Sequence, residues 1–468
     1  MAARKILMGG IAVGVVLSFS GVALAQSNIY SFTGEVDLGV GYTFFESSGQ
    51  HYIGARGDTV YVVTSNGWTW CAKSIDGGQT FDLPVLVNST STGVNPSMRV
   101  DTGGVVYVAY QDEYADIRFS KSTDGGVSFT PGVKVNDDTI PQTGQEKPAI
   151  AVNNKGQIFI AWRDQRYSAP QTHQTVFTAA SYDGGQSFTP NIQGNDTSTD
   201  LGGTIDIAVD DVGRVYVVWM PNRRGIILSR SIDSGQTFPL QTEVADVPTD
   251  STIAGSGIQS IAVGNELIGV VWQDRRFEQF TLRFSVSQDY GQTFSPSVRV
   301  DDDSDLSDTT APQAPSLAWK NGIFYVAWHE YGAKQRISFS YSTNSGQSFV
   351  PSMTVDSFSS AHAFPSLEVN GSGKAFAAWL DSREDPFYVE DFRTLVAWGG
   401  PNSVKGDLNL DSLLTAVDVV LELNAVFLGQ PYPASFETAD VNCDGELTPA
   451  DTVLELNAVF LENRFPCS

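Results

Sequence analysis

The chain has 468 residues and a formal net charge of −25, from 53 acidic and 28 basic side chains. A surface of this sign repels phosphate backbones, so we expect no nucleic acid partner, and it attracts cations. At this length the chain can hold two or three domains, or one large repeat array with an appendage.

The first 25 residues have the composition of an export signal. Arg4 and Lys5 precede an apolar stretch at residues 6–16, and the segment ends in Ala23-Leu24-Ala25. We therefore expect residues 1–25 to be a signal peptide and the mature protein to be secreted. No later run of apolar residues reaches the length that a membrane span requires, so we predict no membrane-spanning segment.

Six copies of the pattern Ser-x-(Asp/Asn)-x-Gly-x-(Thr/Ser)-Phe occur between residues 74 and 349. The glycine permits the positive φ of a tight turn, and the side-chain oxygen at the third position can accept hydrogen bonds from backbone N–H groups of the turn. Each copy therefore predicts a β-hairpin turn held together by its own side chain. The third-position residues are Asp76, Asp124, Asp183, Asp233, Asp289 and Asn344.

Long β-prone runs, such as residues 105–110 and 215–219, precede most copies. Runs that are apolar on both faces are typical of strands packed between neighbouring sheets. The copies end 48 to 59 residues apart, which matches a four-stranded propeller blade. Seven runs predict seven blades, with six blades or an open solenoid as alternatives. The seventh unit, residues 364–398, lacks the turn pattern, so we expect residues 30–40 to supply its outer strand and close the ring.

The repeats resemble the Asp-box, or BNR repeat, of the sialidase-like β-propeller superfamily, over about residues 50–398. The resemblance implies that the Asp-box turns are structural and lie on the face away from a catalytic pocket. It also implies three arginines that bind a substrate carboxylate, a Tyr nucleophile activated by Glu, and an Asp acid/base. The Phe/Tyr-Arg-Ile-Pro tetrapeptide of the family is absent, and Arg56 is the nearest substitute. No catalytic residue is assigned on this basis.

An Asp-x-Arg triplet recurs just beyond three long strands, at residues 164–166, 274–276 and 381–383. The spacing favours a local ion pair that orders each loop. The alternative is a ligand-binding rim for acidic or hydroxyl-rich molecules, because the guanidinium fork recognises carboxylates bidentately. The arginines concerned are Arg166, Arg276 and Arg383.

Aromatic residues also recur at the strand ends, and we predict that their tryptophans are core residues rather than a sugar platform. They are Trp162, Trp219, Trp272, Trp328 and Trp379. Glu330 and Tyr331 are adjacent at one strand end, but neighbours on a strand point to opposite faces. We therefore do not predict that they form a catalytic pair.

The composition becomes helical after residues 399–403, where two segments offset by 33 residues match closely. Oxygen-bearing side chains at loop positions 1, 3, 5 and 12, with a backbone carbonyl at position 7, form the EF-hand-like pattern for Ca²⁺. Two calcium ions are therefore predicted. Their ligands are Asp407, Asn409, Asp411, Leu413 and Asp418 in the first loop, and Asp440, Asn442, Asp444, Glu446 and Asp451 in the second.

The same octapeptide follows each loop, at residues 421–428 and 454–461, and predicts two short helices that pack together. Residues 405–466 resemble a type I dockerin, which has Asp at position 12. The resemblance implies docking to a cohesin-type module on a scaffold or cell surface. Cys443 and Cys467 can form a disulfide here, whereas we expect Cys71 to be a buried thiol.

The predicted organisation is a mainly β protein in three parts: a signal peptide at residues 1–25, a BNR-type propeller at 26–399, and a small helical calcium-binding dockerin at 400–468. The expected function of the propeller is to bind or hydrolyse extracellular glycans, because a dockerin usually delivers such cargo. The alternative is a non-catalytic adhesion or protein-interaction propeller. Fold analogy does not decide between them.

Overall fold

The computed structural model describes residues 30–42, 51–88, 92–138, 144–166, 174–195, 201–221, 225–246, 258–275, 280–302, 311–331, 335–356, 362–381, 392–401, 408, 416–429, 439–442 and 446–461. The predicted signal peptide, residues 1–25, lies outside these ranges. Within them, no helix has the length and apolar character needed to cross a bilayer.

Seven antiparallel four-stranded sheets make up the propeller, which confirms the prediction of seven blades. Blade 1 contains β2 (Ile53–Arg56), β3 (Thr59–Ser65), β4 (Thr69–Ser74) and β5 (Val85–Leu86), and blade 2 contains β6 (Gly93–Val100), β7 (Val106–Asp112), β8 (Ile117–Ser122) and β9 (Val133–Lys134). Blade 3 contains β10 (Gln145–Val152), β11 (Ile158–Asp164), β12 (Thr175–Ser181) and β13 (Ile192–Gln193), and blade 4 contains β14 (Leu201–Val209), β15 (Val215–Pro221), β16 (Ile227–Ser231) and β17 (Leu240–Glu243). Blade 5 contains β18 (Gln259–Gly264), β19 (Leu267–Asp274), β20 (Thr281–Ser287) and β21 (Val298–Arg299), and blade 6 contains β22 (Ala311–Lys320), β23 (Ile323–Tyr331), β24 (Arg336–Ser342) and β25 (Met353–Thr354). Blade 7 contains β26 (His362–Val369), β27 (Ala375–Asp381), β28 (Phe392–Pro401) and β1 (Tyr30–Tyr42).

The ring closes through the amino-terminal strand, as predicted. Strand β1 pairs antiparallel with β28, with Tyr30 opposite Pro401 and Val36 opposite Val396. The Tyr30 ring packs on Phe339 and Tyr341 of blade 6, with centroids 5.2 Å apart in each case, and its hydroxyl donates to the Gly373 carbonyl at 2.6 Å. The outer edge of blade 7 is thereby covered by the first strand of the described chain, which leaves no unpaired edge at the closure.

The second strand of each blade is buried because it lies between two neighbouring sheets. All seven residues of β27 are buried, and the strand-end tryptophans are among the largest fully buried side chains, so the prediction of core tryptophans is confirmed. The thiol of Cys71 is also buried, as expected, and burial raises its pKa to about 12. Runs apolar on both faces are the sequence signal of this packing.

The first strand of each blade, which we call the inner strand, carries a bulge in most blades. Asn95, Lys147, Ala314 and Phe364 each adopt a positive φ, between 49° and 56°, immediately before a proline. The pairing with the second strand shifts register at each of these points. A non-glycine residue in this conformation is strained, so the bulge is held by the surrounding sheet.

All six Asp-box turns have the predicted geometry. In the first copy, Asp76 Oδ1 accepts from the Ser74 hydroxyl at 2.7 Å and from the Thr80 N–H at 2.9 Å. The Thr80 hydroxyl donates to Asp76 Oδ2 at 2.5 Å, and the Gly78 N–H donates to Ser74 Oγ at 2.9 Å. These hydrogen bonds lower the pKa of Asp76 to about 2. The serine and the carboxylate together satisfy the backbone of the turn.

Among the described residues, two helices follow the propeller in sequence: α1 (Ala416–Leu428) and α2 (Pro449–Leu461). Helix α2 begins with a capping arrangement, in which the Thr448 hydroxyl accepts from the Ala450 N–H and Asp451 Oδ2 accepts from the Thr448 N–H. Proline at the first helical position suits this start because its missing N–H would have no partner within the helix. The helices contact each other, as the repeated octapeptide predicts.

Candidate functional site

The inner strands, which surround the axis of the ring, share a short sequence repeat that links neighbouring blades. Its first residue, which we call the hydroxyl position, is serine in four blades, and each serine accepts a backbone N–H of the next blade. Ser97 accepts from Ile150, Ser260 from Leu317, Ser316 from Leu367 and Ser366 from Tyr52, over 3.0 to 3.4 Å. These bonds join successive blades around the axis.

The residue two places after the hydroxyl position is the channel position. It is alanine in blades 3 to 6 and glycine in blade 1, at Ala151, Ala208, Ala262, Ala318 and Gly54. In blades 2 and 7 it is Arg99 and Glu368. The hydroxyl position of blade 4 is Asp206, and the residue just before this position in blade 1 is His51.

His51 and Asp206 form a bridge across the ring, from blade 1 to blade 4. His51 Nε2 lies 3.0 Å from Asp206 Oδ2, and both side chains are buried. Asp206 Oδ2 also accepts from the Ser260 hydroxyl and the Ile261 N–H, at 3.0 Å each. The aspartate therefore keeps the blade-to-blade link of the repeat while adding a charge to the channel.

The bridge holds its charge on the aspartate. Burial lowers the pKa of His51, and the Arg99 guanidinium lowers it further, against the opposing effect of Asp206. Burial alone would raise the pKa of Asp206, but His51 and Arg99 outweigh it and the pKa is lowered. At neutral pH this makes His51 a neutral ring and Asp206 an anion.

A cavity of about 160 Å³ lies in the channel beside this bridge, and Arg99 and Glu368 line it together with His51. We call it the channel cavity. Burial raises the pKa of Glu368 to about 7, although Arg99 and Lys320 act to lower it. A carboxyl group that titrates near neutrality can both donate and accept a proton at that pH.

A second cavity of about 430 Å³, the side depression, adjoins the channel cavity because Val209, Val263 and Trp319 line both. It lies at the hairpins after the inner strands of blades 5 and 6, which are short two-residue turns with Asn265 and Asn321 at positive φ. These hairpins belong to the same edge of the blades as the Asp-box turns. The channel cavity therefore connects to the Asp-box face.

The rim arginine that the structure describes is held in ion pairs. Arg166 Nε and Nη2 contact the two oxygens of Asp164 at 3.0 and 2.8 Å, and Nη1 contacts Asp137 at 2.7 Å. Its guanidinium also lies 4.0 Å from the centroid of Phe177, and its side chain is 11% exposed. The local ion pair is confirmed for Asp164 and Arg166, so this arginine is not an open rim ligand. Arg276 and Arg383 lie outside the described residues.

The acidic residues at the ends of the second strands bind the buried tryptophans. The indole N–H of Trp162 donates to Asp164 at 2.8 Å, and that of Trp328 donates to Glu330 at 2.7 Å. Burial raises the pKa of Glu330, while the neighbouring Tyr331 is 57% exposed. The expectation that Glu330 and Tyr331 point in opposite directions is therefore confirmed. The carboxylates of Asp164 and Glu330 accept hydrogen bonds from core tryptophans.

Both position-12 aspartates of the predicted calcium loops are fully buried at the start of their helices. Asp418 Oδ1 accepts from the Leu408 N–H at 3.0 Å, and Asp451 Oδ1 accepts from the Asn442 N–H at 3.2 Å. Each carboxylate thus accepts a backbone N–H from near the start of its own loop, at position 2 in the first loop and position 3 in the second. Carboxylate and amide oxygens are the ligands that Ca²⁺ prefers, so the donor set fits this ion.

The helix pair also buries Glu422 and Glu455, at the same position of the two octapeptides. Burial raises the pKa of Glu422, Asp451 raises it further, and the adjacent Glu455 carboxyl opposes this. In the described part of the chain, no group of three or more His, Cys, Asp and Glu side chains is arranged to hold a metal. Five predicted ligands (Asp407, Asn409, Asp411, Leu413 and Asp444) and both cysteines of the predicted disulfide (Cys443 and Cys467) lie outside the described residues.

The channel residues were not predicted from the sequence. Their signal was present, since an alignment of the seven inner strands shows Arg99 and Glu368 where other blades have alanine or glycine. Also not predicted was the Asn or Asp that follows the outer strand in blades 1, 2, 3, 5 and 6, such as Asn136, whose side chain accepts the Ile117 N–H at 2.8 Å. Asp301 and Asp356 make the same bond in blades 5 and 6.

Comparisons with known proteins identify similar structures but no family. No family model matches the chain, and no curated protein matches its sequence. Among solved structures, the leech intramolecular trans-sialidase in complex with 2,7-anhydro-Neu5Ac is 11% identical, with 67% of this chain and 68% of that chain covered and a TM-score of 0.46. The NanB sialidase of Streptococcus pneumoniae is 10% identical (66% and 69% covered, TM-score 0.46). The Penicillium chrysogenum α-L-arabinanase complexed with arabinobiose is 14% identical (79% and 98% covered, TM-score 0.46).

Proposed function

We propose that the chain is an exported two-module protein, in which the carboxy-terminal segment binds two Ca²⁺ ions and docks to a cohesin-type partner. The observation that carries this proposal is the pair of position-12 aspartates. Asp418 and Asp451 are buried at equivalent points, and each accepts a backbone N–H of its own loop. Buried carboxylates are costly unless a cation or hydrogen-bond donors compensate them, so two buried aspartates at the starts of two helices that contact each other favour a divalent ion.

The calcium part is tested by titrating the full-length, metal-stripped protein with CaCl₂ in a calorimeter. We expect two ions per chain, and one ion after either Asp418→Ala or Asp451→Ala. The matched control is Glu113→Ala, which replaces an exposed carboxylate of blade 2 and should leave two bound ions per chain. Absence of calcium binding by the unmodified protein at millimolar concentration contradicts the proposal.

The docking part is tested separately with a panel of cohesin modules on a sensor surface, with CaCl₂ and with EDTA. The expected result is capture by at least one cohesin in calcium and release in EDTA. Calcium binding without capture by any cohesin would support the metal site and contradict the docking role.

For the propeller, we propose binding of extracellular glycans. This rests on the Asp-box resemblance and on the cargo that dockerins deliver. Sialidase chemistry is not part of the proposal, because the arginine tetrapeptide is absent and Arg166 is engaged by Asp164 and Asp137. A glycan array probed with the full-length protein tests the binding. Turnover of a fluorogenic sialoside, lost on mutation of rim arginines, would show that a hydrolase site is present.

A further inference from the structure

The channel cavity holds the two charged residues that break the inner-strand repeat. Arg99 and Glu368 occupy a position where each of the other five blades has alanine or glycine. Because the seven blades provide internal comparisons, packing alone does not explain why these two blades differ. A buried charge is costly when small apolar residues suffice at the same place.

The guanidinium of Arg99 has donors to spare. A guanidinium carries five N–H groups, and the hydrogen bond that Arg99 makes within the described residues is from Nη1 to the Met98 carbonyl at 2.9 Å. Asp206 and Glu368 stabilise its charge through space, but neither is within ion-pair distance of it in the described part of the chain. The planar guanidinium of Arg99 is thus suited to binding a planar anion inside the cavity.

We propose that the channel cavity is a binding site for a small monocarboxylate. The guanidinium of Arg99 receives the carboxylate, and the protonated carboxyl of Glu368 donates a hydrogen bond to it. The ligand enters through the side depression, past Trp319, from the Asp-box face. The volume of about 160 Å³ suits a molecule of a few heavy atoms up to a single acidic sugar.

The neighbouring charges favour a carboxylate over a more highly charged anion. Asp206 is ionised and His51 is neutral, so the bridge repels a dianion such as sulfate. The cations near Glu368 are Arg99 and Lys320, which keep its pKa from rising above about 7. A singly charged ligand is repelled less by Asp206 than a dianion is, and it can accept a hydrogen bond from the protonated carboxyl of Glu368.

The site predicts a pH dependence of known sign. Bound carboxylate favours protonated Glu368, so affinity is highest below pH 7 and falls as pH rises through the pKa. Between pH 6 and pH 8 the protonated fraction falls about tenfold, and we expect acetate affinity to fall by about the same factor. This proposal does not depend on the calcium or glycan proposals, because neither Arg99 nor Glu368 is a predicted calcium ligand and the glycan proposal assigns no residues.

The test is acetate and D-glucuronate binding to the full-length protein, followed by calorimetry and thermal shift at pH 6 and pH 8. Arg99→Met is expected to abolish binding, Arg99→Lys to weaken it, and Glu368→Gln to retain binding without the pH dependence. Arg118→Met, which removes a surface arginine paired with Asp112, is the control and leaves binding unchanged.

Three results would overturn the proposal. They are unchanged binding by Arg99→Met, an unchanged pH slope in Glu368→Gln, and sulfate binding as tightly as acetate. If Arg99→Met does not fold, the pH dependence of acetate binding by Glu368→Gln and the relative affinities for sulfate and acetate still test the proposal. Failure of acetate and glucuronate to bind the unmodified protein at either pH also overturns it.

Discussion

The Asp-box turns of the propeller and the carboxy-terminal helix pair use carboxylates in opposite ways. In the Asp-box turns, hydroxyl and N–H donors surround each carboxylate, and its pKa is lowered, to about 2 for Asp76 and Asp289. In the helix pair, Glu422 is buried beside other acidic groups, and its pKa is raised. The Asp-box turns therefore stabilise their anions with their own donors. In the helix pair, burial and the neighbouring Asp451 favour the protonated form of Glu422, and this difference can be tested region by region.

The largest expected effect is in the propeller closure, which should depend on packing and not on calcium. Tyr30→Ala removes a buried ring between blades 7 and 6 and is expected to cost about 3–5 kcal/mol of unfolding free energy. Tyr30→Phe loses only the hydrogen bond to Gly373 and should cost about 1 kcal/mol. Urea unfolding with CaCl₂ and with EDTA provides the measurement. A destabilisation that calcium reverses would break the distinction between the two regions.

The next effect is in the helix pair, where metal affinity should respond to carboxylate removal. Asp451→Ala removes a predicted ligand and the partner of the Asn442 and Thr448 N–H groups. We expect calcium affinity at that loop to fall by at least about tenfold to a hundredfold. A calcium titration of the full-length variant gives the result. Unaltered affinity would show that Asp451 is only a helix cap.

A smaller effect is expected at the rim of blade 3. Arg166→Met removes two charge-assisted contacts to the buried Asp164 and is expected to cost about 1–2 kcal/mol. The Trp162 indole and the Arg166 backbone N–H still bind the carboxylate, which limits the loss. Denaturant unfolding measures the change. Full stability together with a loss of ligand binding would instead support a rim that recognises ligands.

The smallest effect concerns one Asp-box turn at low pH. Burial acts to raise the pKa of Asp289, but bonds from Thr293 and Ser287 lower it to about 2. Because the folded-state pKa is below the unfolded value of about 3.9, the stabilisation is present above that value and is lost as pH falls through about 2. We expect the Tm advantage over Asp289→Asn to shrink between pH 5 and pH 2. The turn at Asn344 already lacks a titrating group and is the natural reference.

Local patterns predicted the elements whose causes are local. The Asp-box octapeptide contains every donor and acceptor of its turn, so its geometry followed from residues such as Ser74, Asp76 and Thr80. The Asp164-Gln165-Arg166 pairing was predictable for the same reason, since both groups lie within three residues. The Trp162 contact to Asp164 was not predicted, although an alternating strand places residues two apart on one face.

The sequence by itself determined the Asp-box repeat and the spacing of the predicted calcium loops, and it favoured seven blades over six, because these depend on spacing along the chain. Only the tertiary structure decided that His51 meets Asp206 across 155 residues and that Arg99 and Glu368 share one cavity. The physical reason is that ring closure by β1 and β28 brings seven inner strands around one axis. Distances between side chains of different blades are set by that closure and not by any local stretch of sequence.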